Sequence, residues 1–308
     1  MKSIGFSLTE PVNTKSLDQV RELVETQLGQ CVAGIEHIYS GNSRVLKLYC
    51  ADQSKLIAKV YPLSKDDARD RLGVEFAALS FLRDEGVGIV PRPLAKNLDA
   101  RIAIYQYIEG KSLTLEQIGP AQIDEMVSFI GQLDLLRRES TSLGMAAASE
   151  ACFSFAEYLY GVRNRLDKFA ETEDTTPAHA RVRRFIGDRL EPFSKRVQEH
   201  CSEHVAKLGW RWDEELALSQ RTLSPSDFGF HNALRRPDGT LAFVDFEYFG
   251  WDDPAKLITD FIHHPAVPIS TTLKRNFLVS IQSLFKRDTN LQFRLGPVYF
   301  LTGLKWCL

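Results

Sequence analysis

Apolar positions at Leu17, Val20, Leu23, Val24 and Leu28 recur at helical spacing, so Ser16 to Leu28 is expected to open the chain as an amphipathic helix. The period then shortens to two. Gly34–Tyr39, Arg44–Tyr49 and Leu56–Tyr61 read as strands, Asp66 to Arg83 as a helix, and Pro93–Ala95 with Arg101–Ile108 as two further strands. This predicts a small antiparallel sheet with one internal helix over residues 1–108. After Glu109-Gly110-Lys111-Ser112 the pattern lengthens into helical segments at about 119–138, 152–170, 178–207 and 272–287. A loop and hairpin at 223–248 interrupt them, and residues 109–308 are expected to form a mainly helical second domain. The expected class is therefore α+β. Glu171 to Pro177 reads as an exposed interhelix loop. The chain ends at Leu304-Lys305-Trp306-Cys307-Leu308 inside an apolar helical run without a cap or stop signal, as a truncated chain would.

The segment that interrupts the helices holds the most informative chemistry. Asp227 is followed five residues on by Asn232 and, thirteen residues after that, by Asp245. Phosphoryl transfer from ATP needs an acid to take the acceptor proton, an amide to hold Mg²⁺ and a second acid on the metal that bridges the phosphates. The order and spacing match that set. Asn232 to Arg235 and Leu241 to Asp245 are strand-like and flank Arg236-Pro237-Asp238-Gly239-Thr240, where Asp-Gly signals a hairpin turn. Folding about the Asp238-Gly239 bond sets Asn232 opposite Asp245, with cross-strand Cβ atoms roughly 5 Å apart. A three-residue loop with a bulge would shift the pairing by one. Asp245 also interrupts an apolar run from Leu241 to Trp251, where an unpaired carboxylate is costly to desolvate.

The first domain has features suited to a nucleotide. Ser40-Gly41-Asn42-Ser43-Arg44 is a tight turn whose backbone amides and side chains at Gly41, Asn42 and Ser43 could bond phosphate oxygens, although it lacks GxGxxG. Leu56-Ile57-Ala58-Lys59 matches the strand pattern in which a lysine contacts the α- and β-phosphates and pairs with a helix glutamate. Ala68, Leu72, Phe76, Leu79 and Leu82 form one apolar helix stripe, and Glu75 falls within it. A carboxylate there needs a cation, and Lys59 is the natural partner. Ile104 to Gly110 ends the last strand, where backbone groups at Gln106 and Ile108 could read an adenine edge.

Composition narrows the function classes. A chain of 308 residues with 44% apolar content can bury a core in each of two domains, and a net charge of −2 argues against nucleic acid as a partner. No apolar run approaches the roughly 20 residues that cross a membrane, and the start of the chain lacks a signal-peptide core, so a cytoplasmic protein is expected. The five cysteines are scattered and read as reduced thiols. His200 and His204 share helical spacing without a further ligand nearby, and His263-His264-Pro265 reads as a helix end and not as a site.

Taken together, the 40–44 turn, Lys59, Glu75, the 104–110 connector, Asp227, Asn232 and Asp245 resemble the aminoglycoside phosphotransferase and choline kinase family, over nearly the whole chain. The resemblance implies a two-lobed protein-kinase-like fold and an ATP- and Mg²⁺-dependent kinase. In it Asp227 would be the catalytic acid, Asn232 and Asp245 the metal ligands, and Lys59 with Glu75 the phosphate-orienting pair. Asp245-Phe246-Glu247-Tyr248 looks like the choline kinase version, and Gly250-Trp251-Asp252-Asp253-Pro254 resembles the family's following Gly-x-x-Asp-Pro run. Two departures stand out. The family's histidine two residues before the catalytic acid is Pro225, whose fixed φ could stiffen the loop, and the acid expected after Asp-Pro falls at Leu257, so Asp260 is expected to brace the loop in its place.

Few residues separate Asp245 from the next helix, which leaves little chain for a protein kinase's activation segment. A small hydroxyl-bearing acceptor fits better. Lys274, Arg275, Lys286, Arg287, Arg294 and Lys305 face only Asp288 in the last 48 residues, which favours a sugar-like or polyol acceptor over a polycation. The alternatives are a choline, ethanolamine or aminoglycoside acceptor, with Trp210, Trp212, Tyr248 and Trp251 as an aromatic cage, or a nucleotide-binding pseudokinase that serves as an interaction module.

Overall fold

The computed structural model describes residues 14–40, 43–62, 69–137, 144–171 and 176–308. Gly41 and Asn42, the expected start of the second helix at Asp66, and the centre of the 171–177 loop lie outside the described residues. The chain divides into two compact units, one of Met1–Lys111 with Ala233–Tyr248 and one of Ser112–Asn232 with Phe249–Leu308.

In the first unit, helix α1 (Thr14–Leu28) precedes strands β1 (Val32–Ser40), β2 (Arg44–Cys50) and β3 (Lys55–Val60), helix α2 (Arg71–Asp84), and strands β4 (Pro93–Asn97) and β5 (Ile102–Gln106). The sheet order is β1-β2-β3-β5-β4 with every neighbour antiparallel. Register sets Leu46 opposite Ala58 and Ala58 opposite Ile104, so these residues share one face with Leu48, Leu56, Val60 and Ile102. That face is dry because Val20, Leu23 and Val24 of α1 pack on it. Strand alternation then sends Lys59 to the opposite face. Helix α2 is capped by Asp70, whose carboxylate accepts the Gly73 N–H, and it buries Leu72, Glu75, Leu79 and Leu82.

The hairpin Ala233–Arg235 with Leu241–Phe243 belongs to this first unit, whereas the sequence reading set it in the second domain from residue 109. Backbone geometry explains the difference. The Phe243 N–H donates to Ile89 O at 2.8 Å, the Arg236 guanidinium donates to Gly88 O at 3.2 Å, and a Cβ on Gly110 would lie 3.0 Å from Leu234 Cβ. Ala233 pairs with Phe243, one residue off a ladder centred on the Asp238-Gly239 bond, because Gly239 takes φ +88° and Arg236 N–H closes on Thr240 O.

The second unit is mainly helical, beginning with α3 (Pro120–Leu135), which buries Ile123, Met126, Phe129, Ile130 and Leu133. Helix Phe155–Glu171 follows, and the expected single helix over 178–207 is Pro177–Phe185 and Glu191–Lys207 joined by a π turn at Ile186–Leu190. Pro192 explains the break, since a proline fits the first turn of a helix and not its interior. Helices Pro254–His263, Thr271–Gln282 and Leu291–Trp306 complete the unit. Gly250 makes a close crossing possible: a Cβ there would sit 2.5 Å from both Ala146 O and Ala148 N.

This unit buries chains of alternating charge. Lys256 lies 2.9 Å from Asp252 and 3.0 Å from Asp260, and Asp260 also accepts from Lys305 and from Trp306 Nε1 at 2.8 Å. Asp260 therefore ties helix 254–263 to helix 291–306, and its bonds go to these helices in place of the expected bracing of the 223–232 loop. Arg294 sits between Asp253 at 2.9 Å and Asp288 at 2.6 Å. Burial opposes ionisation of Asp260, but Lys256 and Lys305 outweigh it and hold the carboxyl at about 2, whereas burial pushes Asp252 up to about 6 against the same Lys256.

A depressed folded-state carboxyl stabilises the fold above its unfolded value and loses that contribution as pH falls toward the folded one. For Asp260 the window is about pH 4 to 2 and the contribution about 2 kcal/mol. Asp252 has the opposite sign, between about pH 4 and 6, so the two windows separate. Urea unfolding against pH should show wild type losing its advantage over Asp260→Asn between pH 4 and 2. A pH-independent difference between the two would refute the assignment.

Candidate active site

In the first unit, alternation on β3 and the stripe of α2 bring Lys59 and Glu75 together. Lys59 is 6% exposed and Glu75 2%, and Lys59 Nζ donates to Glu75 Oε2 at 2.6 Å. The same ammonium donates to Asp245 Oδ1 at 2.7 Å and lies 3.7 Å from Glu247 Oε2. Tyr61 OH adds a 2.6 Å bond to Glu75 Oε2 and is itself linked to Tyr105 OH at 2.8 Å. The Phe246 N–H donates to Glu75 Oε1 at 3.3 Å, so both oxygens of Glu75 are engaged. Burial disfavours a charged Lys59, but Glu75, Asp245 and Glu247 outweigh it and raise its pKa. Burial likewise pushes Glu247 up.

Among the described residues, Lys59 reaches Glu75, Asp245 and Glu247, and Arg71 lies 3.8 Å from Glu247. Oxygens of Glu75, Asp245 and Glu247 lie within 4.8 Å of one another, and Glu247 Oε2 is buried without a hydrogen-bond donor. Oxygen donors of this kind suit a hard divalent cation such as Mg²⁺. Asp245 is held at φ +69°, a conformation uncommon outside glycine.

The remaining nucleotide candidates of this unit are placed as follows. Ser43 is buried at the start of β2, next to the undescribed Gly41 and Asn42. The Gln106 N–H is taken by Arg92 O at 2.8 Å, and its exposed side chain accepts from Arg92 N. Ile108, half-buried, follows β5 in irregular backbone.

In the second unit, Phe228 and Phe230 anchor the 225–232 loop by burying against Phe261, with Phe129 also on Phe228. Alternation leaves Asp227 and His231 facing away from that core. Ser226 at φ +67° makes the turn, and the Ser226 N–H donates to Ser224 Oγ. Asp227 Oδ1 receives His264 Nε2 at 3.0 Å and His231 Nε2 at 3.2 Å. Burial opposes ionisation of Asp227, but the bonds from His231 and His264 outweigh it and hold the carboxyl well below its usual range. Asn232 Nδ2 donates to Asp227 O at 2.9 Å, which turns the amide's oxygen away from that bond.

The family model described as the phosphotransferase enzyme family matches residues 36–267. The chain belongs to that family. No curated protein matches the sequence. Among solved structures, this phosphotransferase is similar to an ethanolamine kinase of Plasmodium vivax, with 15% identity, TM-score 0.58, and coverage of 96% of this chain and 76% of that one. It is also similar to APH(2″)-IIa in a ternary complex with streptomycin and ATP, with 16% identity, TM-score 0.61, and coverage of 94% and 87%. The choline kinase LicA of Streptococcus pneumoniae matches with 16% identity, TM-score 0.58, and the same coverage. The fold is that of the kinase-like phosphotransferases.

Several groups at these sites were not singled out as site residues from sequence. Glu247, Tyr61 and Tyr105 surround the Lys59–Glu75 pair, and alternation on β3 and β5 was the available signal for the tyrosines. His264, read as part of a helix end, does follow helix 254–263 but also reaches Asp227. His200 and His204 form no ligand cluster with a third residue among the described residues. All five cysteines are free.

Glu75→Gln keeps the shape of the side chain and removes a charge-assisted bond worth about 1.5–3 kcal/mol. ADP formation should fall roughly ten- to a hundredfold, beside a lowered melting temperature that still leaves the protein folded at assay temperature. Wild-type turnover in that variant would show that the pair has no part in the chemistry.

Proposed function

We propose that this phosphotransferase moves the γ-phosphoryl group of ATP, taken as its magnesium complex, to a hydroxyl of a small molecule. The observation that carries the reading is Asp227, a loop carboxylate pinned through Oδ1 and the backbone while Oδ2 has no protein partner among the described residues. Such an oxygen is available to take the acceptor's proton. Lys59, fixed by Glu75, would contact the phosphates together with Ser43 and, by sequence, Gly41 and Asn42, and the Gln106–Ile108 backbone would meet the base. Asp245 would hold Mg²⁺, an ion for which the sequence spacing also assigns Asn232 as a ligand, and the carboxylate oxygens beside Asp245 suit it. When bound, Mg²⁺ neutralises charge that develops on the phosphoryl oxygens. The ATP-bound and streptomycin-bound state of APH(2″)-IIa supports ATP as donor and a small acceptor. Five free cysteines suit a reducing cytoplasm.

For the acceptor we favour a sugar-like or polyol hydroxyl, on a narrower charge argument than the sequence suggested. Arg294 is neutralised by Asp253 and Asp288, Arg287 by Asp134, and Lys305 by Asp260, which leaves Lys274, Arg275 and Lys286 to disfavour a polycation. A second reading, an amino alcohol, is supported by a cleft in the second unit where Phe153, Phe155, Tyr158 and Trp210 lie with Glu214, beside Arg211 and Arg294. Of the four aromatics that could build a cage, Trp251 is buried in a strand and Tyr248 stacks under Arg69.

A phosphorus-NMR screen of MgATP with sugars, polyols, ethanolamine, choline and kanamycin separates these acceptors. A new phosphate ester is expected, and total absence of ADP formation would favour a nucleotide-binding module without catalysis. Asp227→Asn should bind ATP like wild type and turn over at least roughly a hundredfold more slowly, since it loses a proton acceptor and no metal ligand. Asp245→Ala should lose Mg²⁺-dependent nucleotide binding. Unchanged affinity in titrations at ordinary Mg²⁺ would remove Asp245 from the metal site.

A further inference from the structure

His264 lies 37 residues from Asp227 in sequence, yet its Nε2 is 3.0 Å from Asp227 Oδ1. Its tautomer follows from the other side of the ring. The Ala266 N–H donates to His264 Nδ1 at 3.2 Å, so that nitrogen holds a lone pair and the ring proton sits on Nε2, where it is donated to Asp227. His231 stacks on the same ring, with centroids 4.1 Å apart and planes 11° from parallel, and sends its own Nε2 to the same oxygen at 3.2 Å. Trp306 closes the outer side of His264 edge-on at 4.5 Å. Gly229 leaves the room this needs, since a Cβ there would come within 2.8 Å of His231 Nδ1.

Two imidazoles and a carboxylate also have the donor types of a transition-metal site, and their ligand atoms lie within 4.8 Å of one another. The geometry argues against it. Metal on His264 Nε2 would move the ring proton to Nδ1, against the Ala266 N–H, whereas metal-bound histidines place that proton on an acceptor.

We infer that His264 is the positioning residue of the proposed base: with His231 stacked on it, it occupies Asp227 Oδ1 and leaves Oδ2 as the oxygen that meets the acceptor hydroxyl. The inference rests on the reading of Asp227 as proton acceptor. It also accounts for Pro225, because an imidazole two residues before the acid is not what holds this loop; one from beyond the end of helix 254–263 does. Orientation of a general base, not its presence, is what His264 supplies, so its loss should act on turnover and not on nucleotide binding.

The test uses the full chain with MgATP and water as acceptor, and ADP release in single-turnover mode as readout. His264→Leu should lower the rate constant roughly tenfold or more with ATP affinity within about twofold, and His264→Gln, whose amide can replace the Nε2–H donor, should recover most of the loss. In an Asp227→Asn background His264→Leu should cost nothing further, because it acts through that carboxylate. A wild-type rate in His264→Leu, beside an inactive Asp227→Asn, overturns the positioning role and leaves the base intact. A wild-type rate in Asp227→Asn overturns the base itself. Independent of folding of any Leu variant, a two-bond proton–nitrogen spectrum of the wild-type protein should show His264, assigned by its loss in His264→Gln, as the Nε2–H tautomer. An Nδ1–H signal overturns the inference.

Discussion

The buried contact between Lys59 and Glu75 is the constraint on which the first unit depends. It joins β3 to α2, and through Lys59 to Asp245 and Glu75 to the Phe246 N–H it also fixes the chain that leaves the hairpin. Desolvating these charges costs several kcal/mol per ion, and removing one partner of such a pair typically costs about 3–5 kcal/mol. The surroundings show how that cost is met. Tyr61, Phe246 N–H and Lys59 satisfy Glu75 fully, so it behaves as a finished structural group, whereas Glu247 Oε2 is left buried without a donor. The unsatisfied oxygen thus lies on the Glu247 side of the cluster.

The helical unit handles buried charge differently. Lys256 is shared by Asp252 and Asp260, and Arg294 by Asp253 and Asp288, so each cation is saturated by protein. These chains cross-link the segment after Gly250 to helix 291–306. Buried ion pairs are weak evidence for net stability, because apolar residues of like volume do as well or better, but they do penalise any register in which a partner is missing. The Asp252-Asp253 pair sits at the start of helix 254–263 and takes part in both chains, Asp252 through Lys256 and Asp253 through Arg294.

Much of this was legible in the sequence, and the reasons are local. Alternation along 56–61 put Lys59 opposite the Ala58 face, and the 3.6-residue stripe put Glu75 among Leu72 and Leu79 before any contact was known. The five strands of the sheet were readable because one face is uniformly apolar. What was not legible depended on long-range packing or on backbone sign. The hairpin register slipped by one because the turn uses a positive φ at Gly239, and its assignment to the first unit turns on carbonyls at Gly88 and Ile89. Asp260 was expected to serve the loop because it lies one turn from a familiar position, yet Lys305 and Trp306, 45 and 46 residues on, claim it. Charge counting within the last segment fell short for Arg287, Arg294 and Lys305 for the same reason: Asp134, Asp253 and Asp260 reach them from 153, 41 and 45 residues away.

The loop at Asp227 shows how a departure in sequence can leave a geometry intact. A proline cannot accept or donate through a side chain, so Pro225 contributes its fixed φ and a carbonyl that accepts the Asp227 N–H at 2.8 Å, and the adjoining Ser226 takes the strain of φ +67°. Hydrogen bonding to Asp227 is then supplied from two other places, His231 on the loop and His264 beyond a helix. Because Phe228 and Phe230 fix the loop in the core through Phe261, which lies on the helix that ends beside His264, the acid and its imidazole donor are positioned by one packed layer. The carboxylate is thus held by shared packing rather than by sequence adjacency.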